Sequence, residues 1–199
     1  MNRPTILLTT AALAFGTLAP AAVAGPAAAA ARAGGTAPAS ARGPLAAAVG
    51  HSHPQVLSVA GAGVYRIGAS LRTLTADGHI DWTAPGCAGV VHAGVTGSWA
   101  GVLLLAFRDG RLVEVGTATA PPRSPAGATV GMSFDELAAI YGRRGSLIRN
   151  DAGDAEAYLV RVGSRVELFT GHPIRPGVGY FQVGPADFVE RNFRQGSAC

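Results

Sequence analysis

Two segments of the chain, 63 positions apart, share one pattern, and this self-similarity restricts the possible folds more than any other feature. Residues 67–74 read Ile-Gly-Ala-Ser-Leu-Arg-Thr-Leu, and residues 130–137 read Val-Gly-Met-Ser-Phe-Asp-Glu-Leu. In each segment a strand-like residue enters a glycine, and a serine then precedes a short helical pattern with an apolar residue four positions later. The pattern predicts two copies of one small unit.

The serine of each segment stands where a helix begins. Ser133 and Glu136 have the spacing of a capping box, in which each side chain accepts a hydrogen bond from the other residue's backbone N–H. Ser70 occupies the equivalent position in the first segment, but no carboxylate follows at the box position. We therefore expect Ser70, Ser133 and Glu136 to be structural helix caps, with the weaker cap at Ser70.

Strand-like sequence follows each predicted helix. Asp109-Gly110 and Gly163-Ser164 are turn dipeptides between apolar runs, which is the pattern of β-hairpins. A further strand is predicted over residues 178–183, and a final short helix after Pro185. The predicted fold class is α+β: two copies of a short helix plus an antiparallel β-hairpin, sharing one sheet and core. Repeat 1 spans about 64–118 and repeat 2 about 126–199.

The segment over residues 130–142, Val-Gly-Met-Ser-Phe-Asp-Glu-Leu-Ala-Ala-Ile-Tyr-Gly, resembles the helix entry of the beta-lactamase inhibitory protein fold and of the related BamE-like lipoprotein fold. Residues 64–199 also resemble uncharacterised secreted actinobacterial proteins with the same two helix entries. The resemblance implies tandem modules in which a helical segment precedes an antiparallel sheet. Ala69 departs from it, since the family pattern has Met there, and no inhibitory contact residue can be mapped onto this chain.

The N-terminus has the three parts of a secretory signal. Arg3 gives a positive start, residues 6–19 are apolar, and Ala22-Val23-Ala24 is a small-residue cleavage site. The apolar stretch is shorter than a bilayer span needs, so a retained anchor is the weaker alternative. We expect a signal peptide over residues 1–24, an Ala/Gly/Pro-rich flexible tether over 25–55, and one α+β domain over 56–199. The mature protein is expected outside the cytoplasm, with no membrane insertion after processing.

Charge argues against a nucleic-acid partner. Every basic residue is arginine, a bias typical of GC-rich actinobacterial genomes, and three of the 16 precede the predicted domain. The predicted domain therefore contains 13 arginines and 12 acidic residues, and its net charge is only +1. A nucleic-acid-binding domain needs a clustered basic surface, and the sequence offers only Arg143-Arg144.

The chain has two cysteines, Cys87 and Cys199. In an exported protein an even number of cysteines favours a disulfide, which here would attach the C-terminus to the middle of the domain. A reactive thiol pair is the alternative.

Motifs for catalysis and metal binding are missing from the sequence. It contains no Gly-x-Ser-x-Gly, His-Glu-x-x-His or Cys-x-x-Cys. His51 and His53 could grip a metal but lack an evident third ligand, and the acidic residues of 150–156 lack the ligand alternation of a calcium loop. No catalytic residue, cofactor or metal is therefore predicted. The alternative is a hydrolase in which Asp81 orients His79 as a general base.

Trp82 and Trp99 bracket a glycine-rich stretch, residues 83–98, which reads as a loop. Long ordered loops that carry tryptophan are frequent binding surfaces, so both residues are candidate binding residues. The competing interpretation places both rings in the core. We expect a secreted, non-catalytic binding module that recognises an extracellular protein or a cell-wall component. The alternatives are the hydrolase and a stoichiometric inhibitor of an extracellular enzyme.

Overall fold

The structure, a computed structural model, describes residues 55–197. The predicted signal peptide, the predicted tether up to residue 54 and Cys199 lie outside the described residues, as do His51 and His53. Within residues 55–197 no helix is long and apolar enough to cross a membrane.

Strands make up most of the regular structure of the described range. In chain order they are β1 Gly61–Ala62, β2 Tyr65–Arg66, β3 Ile80–Pro85, β4 Val90–Val95, β5 Leu104–Arg108, β6 Arg111–Thr117, β7 Gly145–Arg149, β8 Glu156–Val162, β9 Arg165–Gly171 and β10 Val178–Pro185. β1 and β2 form a separate two-stranded ribbon. The other eight form one antiparallel sheet in the order β3-β4-β5-β6-β10-β9-β8-β7, so β6 and β10 pair at its centre.

Tight turns connect neighbouring strands where the sequence supplies residues that accept positive φ. The β5–β6 turn has φ 53° at Asp109 and 69° at Gly110, the combination that a two-residue hairpin turn of matching twist requires. Gly163 has φ 61° in the β8–β9 turn. These turns fix the hairpin registers and therefore which residues of each strand share a face.

Three short helices flank the sheet: α1 Leu71–Ala76, α2 Phe134–Tyr141 and α3 Val189–Arg194. At the start of α2, Ser133 Oγ accepts a hydrogen bond from the Glu136 N–H at 3.2 Å, and the Glu136 carboxylate accepts one from the Ser133 N–H at 2.7 Å. Ser70 precedes α1 but makes no side-chain capping bond. The two helix starts are therefore stabilised to different degrees.

The two faces of the sheet bury different elements. The first face packs against α1 and α2, and its core includes Leu105, Phe169 and Phe181. The second face packs against α3 and the residue before it, and its smaller core includes Leu159 and Leu168. Alternate residues of one strand serve opposite faces, as expected for a pleated sheet covered on both sides.

One ion pair joins α3 to the second face. The Glu190 side chain is 8% exposed and forms an ion pair with Arg161 of β8 at 2.5 Å, and within the helix it accepts a hydrogen bond from Arg194 at 3.0 Å. Arg108 also lies over the Phe188 ring, 5.1 Å from its centroid. α3 packs mainly against β9 and β10, and the second-face core also includes Val90 of β4 and Ala106 of β5.

The predicted fold class, two copies of a helix plus a hairpin, is wrong. Instead of one hairpin for each copy, each half of the chain contributes four strands to a single eight-stranded sheet, in which helices are few and short. Of the eight strands of this sheet the sequence analysis missed β3, β4 and β7, and it also missed the ribbon strands β1 and β2. β3 contains Asp81 and Pro85, and β4 contains Gly94, residue types that strands disfavour. Residues 83–98, expected to form a loop, therefore belong largely to β3 and β4.

The helix caps give a matched test of local stability. We expect Ser133→Ala to lower the free energy of unfolding by about 1 kcal/mol, because it frees the Glu136 N–H and disrupts the capping box. Ser70→Ala, which removes no capping bond, should cost less than about 0.5 kcal/mol. Urea unfolding of both variants measures the difference, and equal losses would contradict this account.

Candidate functional site

A groove of about 530 Å³ lies beside α3 on the second face, and residues of β3–β6, β9 and β10 line it. Its size is that of small-molecule sites in proteins. Its lining is mostly apolar with a few polar groups: Trp82, His92, Ala93, Leu104, Leu105, Ala106, Glu114, Asn150, Ala155, Thr170, Tyr180, Gln182, Val189, Asn192, Phe193, Gly196 and Ser197.

Two glycines allow aromatic rings to lie across the strands beside the groove. A Cβ at Gly94 would collide with the Trp82 indole, and a Cβ at Gly116 would collide with the Tyr180 phenol. Leu104 on β5 pairs with Gly94 on one side and Gly116 on the other, and it is 44% exposed. These five residues form a flat apolar surface, which we call the glycine–aromatic strip.

Glu114 supplies a carboxyl group in this groove. It lies on β6 opposite Ala106, and burial raises its pKa from 4.5 to about 7. The Tyr180 hydroxyl donates a long hydrogen bond of 3.4 Å to Oε1, which opposes part of that rise. Burial and the neighbouring carboxylate together raise the pKa of the Tyr180 hydroxyl, so it remains a donor.

Gln182 is the second partner of Glu114. With its amide nitrogen towards the carboxylate, Nε2 lies 2.9 Å from Oε1 and 3.2 Å from Oε2. An ionised carboxylate accepts from that nitrogen, whereas a protonated carboxyl can donate to the amide oxygen after a flip. Gln182 can therefore pair with Glu114 in either protonation state.

Thr170 presents a second polar atom to the groove. It lies on β9 opposite Tyr180, and its Oγ1 is buried with no hydrogen-bond partner among the described residues. A buried hydroxyl without a partner costs about 1–3 kcal/mol, so a ligand atom that bonded to Oγ1 would recover this energy.

The charge of the groove is one-sided. Glu114 is the carboxylate among the described lining residues, and no arginine lines the groove. His92 lies on β4 and pairs with Ala106, which itself pairs with Glu114. The strand spacing places the His92 and Glu114 backbones about 10 Å apart, with Ala106 between them. The two residues are therefore not direct cross-strand neighbours.

The two tryptophans predicted as binding residues lie in different environments. Trp82 is 44% exposed and lines the groove. Trp99, in a short 3-10 turn over Gly97–Trp99, packs against the first-face core instead. The structure therefore does not bring the two rings together on one surface, and the binding role of each stays a prediction.

The histidine and carboxylate of the hydrolase alternative are separated from the groove. His79 packs edge-on against the Tyr65 ring at 6.1 Å, and its backbone oxygen accepts a hydrogen bond from the Tyr65 hydroxyl. Asp81 is exposed at a bulge of β3. Among residues 55–197 no hydrogen bond joins the His79 side chain to Asp81, and neither residue lines the groove.

The structure describes one of the two cysteines that were predicted to pair. Cys87 lies between β3 and β4 and is not a free thiol. Residues 55–197 contain one cysteine and so show no disulfide among themselves, while Cys199 lies outside them. The bridge stays a prediction. In the described range no three histidine, cysteine or acidic side chains cluster as metal ligands would.

A second cavity, of about 590 Å³, lies over the ends of β8 and β9 near α2. The Tyr141 hydroxyl there donates to Glu167 Oε2 at 2.5 Å and pairs with Ser124 Oγ at 2.7 Å. Burial raises the pKa of both Tyr141 and Glu167. Since Ser124 also accepts from the Ala126 and Ala128 N–H groups, this network is bonded within the protein and ties a loop to the sheet.

Sequence reasoning missed Leu104, Glu114, Thr170, Tyr180 and Gln182. Glu114 stands between valines in a predicted strand, which could have marked it as a carboxyl on a covered face. Gly94 and Gly116 within strand sequence could have indicated a close approach of another group. Which aromatic ring meets each glycine depends on strand register, and the sequence alone does not give it.

No family model matches the chain, and no curated protein matches its sequence. Among solved structures, the chain is similar to an extracellular protein containing an SCP domain from Bacillus anthracis, with a TM-score of 0.42 and 11% identity. It is also similar to a cysteine-rich secretory protein from Staphylococcus aureus, with a TM-score of 0.38 and 11% identity. The matches cover 65% and 62% of this chain and 46% of each of the other chains.

These comparisons correct the resemblance stated from the sequence. The similar structures are described as SCP-domain and cysteine-rich secretory proteins, not as a beta-lactamase inhibitory protein or a BamE-like protein, so that assignment is wrong. The segment over residues 130–142 carries the capping residues that begin many unrelated helices, and it is too short to identify a family. At these TM-scores the similarity supports no argument about the site. The similar proteins are described as extracellular and secretory, and the secretion of this chain stays a prediction.

Glu114 makes the stability of the protein depend on pH in a specific direction. The folded protein binds this proton more tightly than the unfolded chain does, so the free energy of unfolding should fall as pH rises from 4.5 through 7. Glu114→Gln removes this loss. Between pH 4.5 and pH 8 we expect the free energy of unfolding of the variant to rise, relative to that of the wild type, by about 2–3 kcal/mol.

Urea unfolding of both proteins at several pH values measures this difference, and the subtraction cancels every other titrating group, including Glu167. A difference that stays constant across the range would show that burial does not perturb Glu114.

Proposed function

We propose that this protein is a secreted, non-catalytic binding module that holds a component of the cell envelope in the groove beside α3. The single observation behind the proposal is the groove itself, an apolar trough with a carboxyl group and an unpartnered hydroxyl among its lining residues. Pockets of this kind are the usual sites of ligand recognition.

The glycine–aromatic strip supports recognition by contact. Trp82 and Leu104 expose 44% of their surface each, and together with Tyr180 they present flat apolar area on rigid strands. Rigid aromatic side chains contribute much of the binding energy in protein recognition, because they lose little conformational entropy when a ligand covers them.

The polar groups favour binding over covalent chemistry. The partners of Glu114 are Tyr180 and Gln182, which hold the carboxyl in place. Nucleophilic catalysis needs a nucleophile in contact with a base. The Thr170 hydroxyl makes no hydrogen bond to Glu114 or His92 among the described residues.

Export places the module where such a ligand occurs. The proposal includes cleavage after about Ala24, which leaves the Ala/Gly/Pro-rich stretch over residues 25–55 at the start of the mature protein. An extracellular protein as the ligand, including an enzyme inhibited at stoichiometric amounts, is the alternative partner.

A sedimentation experiment tests the proposal. Protein purified from culture medium is mixed with isolated cell envelopes, and the bound fraction is measured over a range of protein concentrations. We expect Trp82→Ala to weaken binding at least tenfold, because it removes an anchor from the groove.

Leu147→Ala is the matched control, since Leu147 is 51% exposed on the edge strand β7 and does not line the groove. It should change binding by less than about twofold. Equal losses in both variants, or envelope binding that Trp82→Ala leaves intact, would contradict the proposed site.

A further inference from the structure

We propose that the group held in this groove is a primary ammonium on an unbranched aliphatic stem, presented by an amine-bearing component of the envelope. This inference rests on the proposed function and adds the chemical class of the ligand.

Charge complementarity is the first argument. Although the chain has 16 arginines against 12 acidic residues, none of the arginines in residues 55–197 lines the groove, and Glu114 is the carboxylate among its described lining residues. A buried carboxylate with neutral hydrogen-bond partners lacks a counter-ion, and a cation placed beside it favours its charged form. The groove therefore selects a positive group over a negative one.

Glu114 offers what an ammonium group needs from its partners. An ammonium has three donors and no acceptor. Ionised Glu114 offers acceptor oxygens, one of which also accepts a long hydrogen bond from the Tyr180 hydroxyl. Thr170 pairs with the backbone of Tyr180 on β9 and so lies at the other end of that side chain. Its Oγ1, which no described residue uses, is therefore a separate hydrogen-bonding position in the groove.

The glycine–aromatic strip suits the stem of such a ligand. Methylene groups gain free energy from burial against Leu104, and the faces of Trp82 and Tyr180 also attract cations. Unbranched stems pass along a flat surface that a branched or bulky group would not match. A second copy of this chain cannot provide a lysine side chain, because the sequence contains no lysine.

Three probes of equal length separate the possibilities: hexylamine, hexan-1-ol and hexanoate. Each is titrated into protein purified from culture medium at pH 8, and the NMR shift of the Trp82 indole N–H reports binding. We expect hexylamine to bind with a dissociation constant on the order of 1 mM and at least tenfold more tightly than hexanol. Hexanoate should bind more weakly than both.

Variants locate the preference. Glu114→Gln should bring hexylamine and hexanol to within about threefold of each other while hexanol binding is retained. Thr170→Val, which keeps the shape of the side chain, should leave the ratio of hexylamine to hexanol affinity unchanged, because Thr170 lies at the other end of Tyr180 from Glu114.

The pH dependence gives an independent readout. Burial raises the pKa of Glu114 to about 7, so hexylamine affinity should fall about tenfold from pH 8 to pH 6. The titratable groups that face Glu114 are Tyr180 on β10 and His92 on β4, while α3 presents Val189, Asn192 and Phe193. His92→Gln should preserve the pH dependence, and Glu114→Gln should abolish it.

The outcomes separate the two proposals. Hexanol or hexanoate binding as tightly as hexylamine, or a preference for the amine that survives in Glu114→Gln, would overturn the ammonium assignment and leave the groove as a ligand site. Failure of every probe to bind would also overturn the ammonium assignment, while the proposed function is overturned only by envelope binding that does not depend on Trp82. On envelopes, acetylation of free amines with acetic anhydride should abolish sedimentation of the protein; if only soluble lysine-bearing proteins compete, the envelope source is wrong.

Discussion

The pairing of β6 with β10 joins the two halves of the sheet, and both faces depend on it. The register sets Phe181 against Thr117, Gln182 against Gly116 and Val183 against Val115. Phe181 and Val183 thereby enter the first-face core, while Gln182 reaches the second face beside Glu114. A shift of one residue would exchange these positions and place an amide in the core, so the apolar core and the polar groups of the groove are set by one register.

Glu114 lowers the free energy of unfolding when it is ionised in the groove. A carboxyl group whose pKa rises to about 7 through burial is destabilising once ionised, and Tyr180 and Gln182 offset only part of that cost. Thr170 adds a second unfavourable group, because its hydroxyl is buried without a described partner. In the proposed function these groups serve binding, which would fit the general conflict between stability and function. The Tyr141–Glu167 network differs in this respect, since its members bond one another.

The sequence was informative where local chemistry decides the structure. Ser133 and Glu136 could be recognised as a helix start because the capping bonds are local, and Asp109-Gly110 could be recognised as a turn because the required φ values select those residues. The edge strand β3 escaped detection because its Asp81 and Pro85 resemble loop sequence. Most of the site escaped because Glu114 and Tyr180, 66 positions apart, meet only through the pairing of β6 with β10. Trp82 was selected from its chemistry alone, and its role in binding stays a prediction.

The glycine–aromatic strip has a consequence for how this sequence can diverge. The Trp82 ring fills the space that a side chain at position 94 would need, and the Tyr180 ring fills the space that a side chain at position 116 would need. Neither member of a pair can be exchanged freely: a larger residue at the glycine displaces the ring, and a smaller residue at the ring leaves a gap over the glycine. Each pair should therefore vary as a unit among descendants of this sequence, with 82 tied to 94 and 180 tied to 116. Lineages that lose one ring would be expected to regain a side chain opposite it, and with that change the flat surface would be lost.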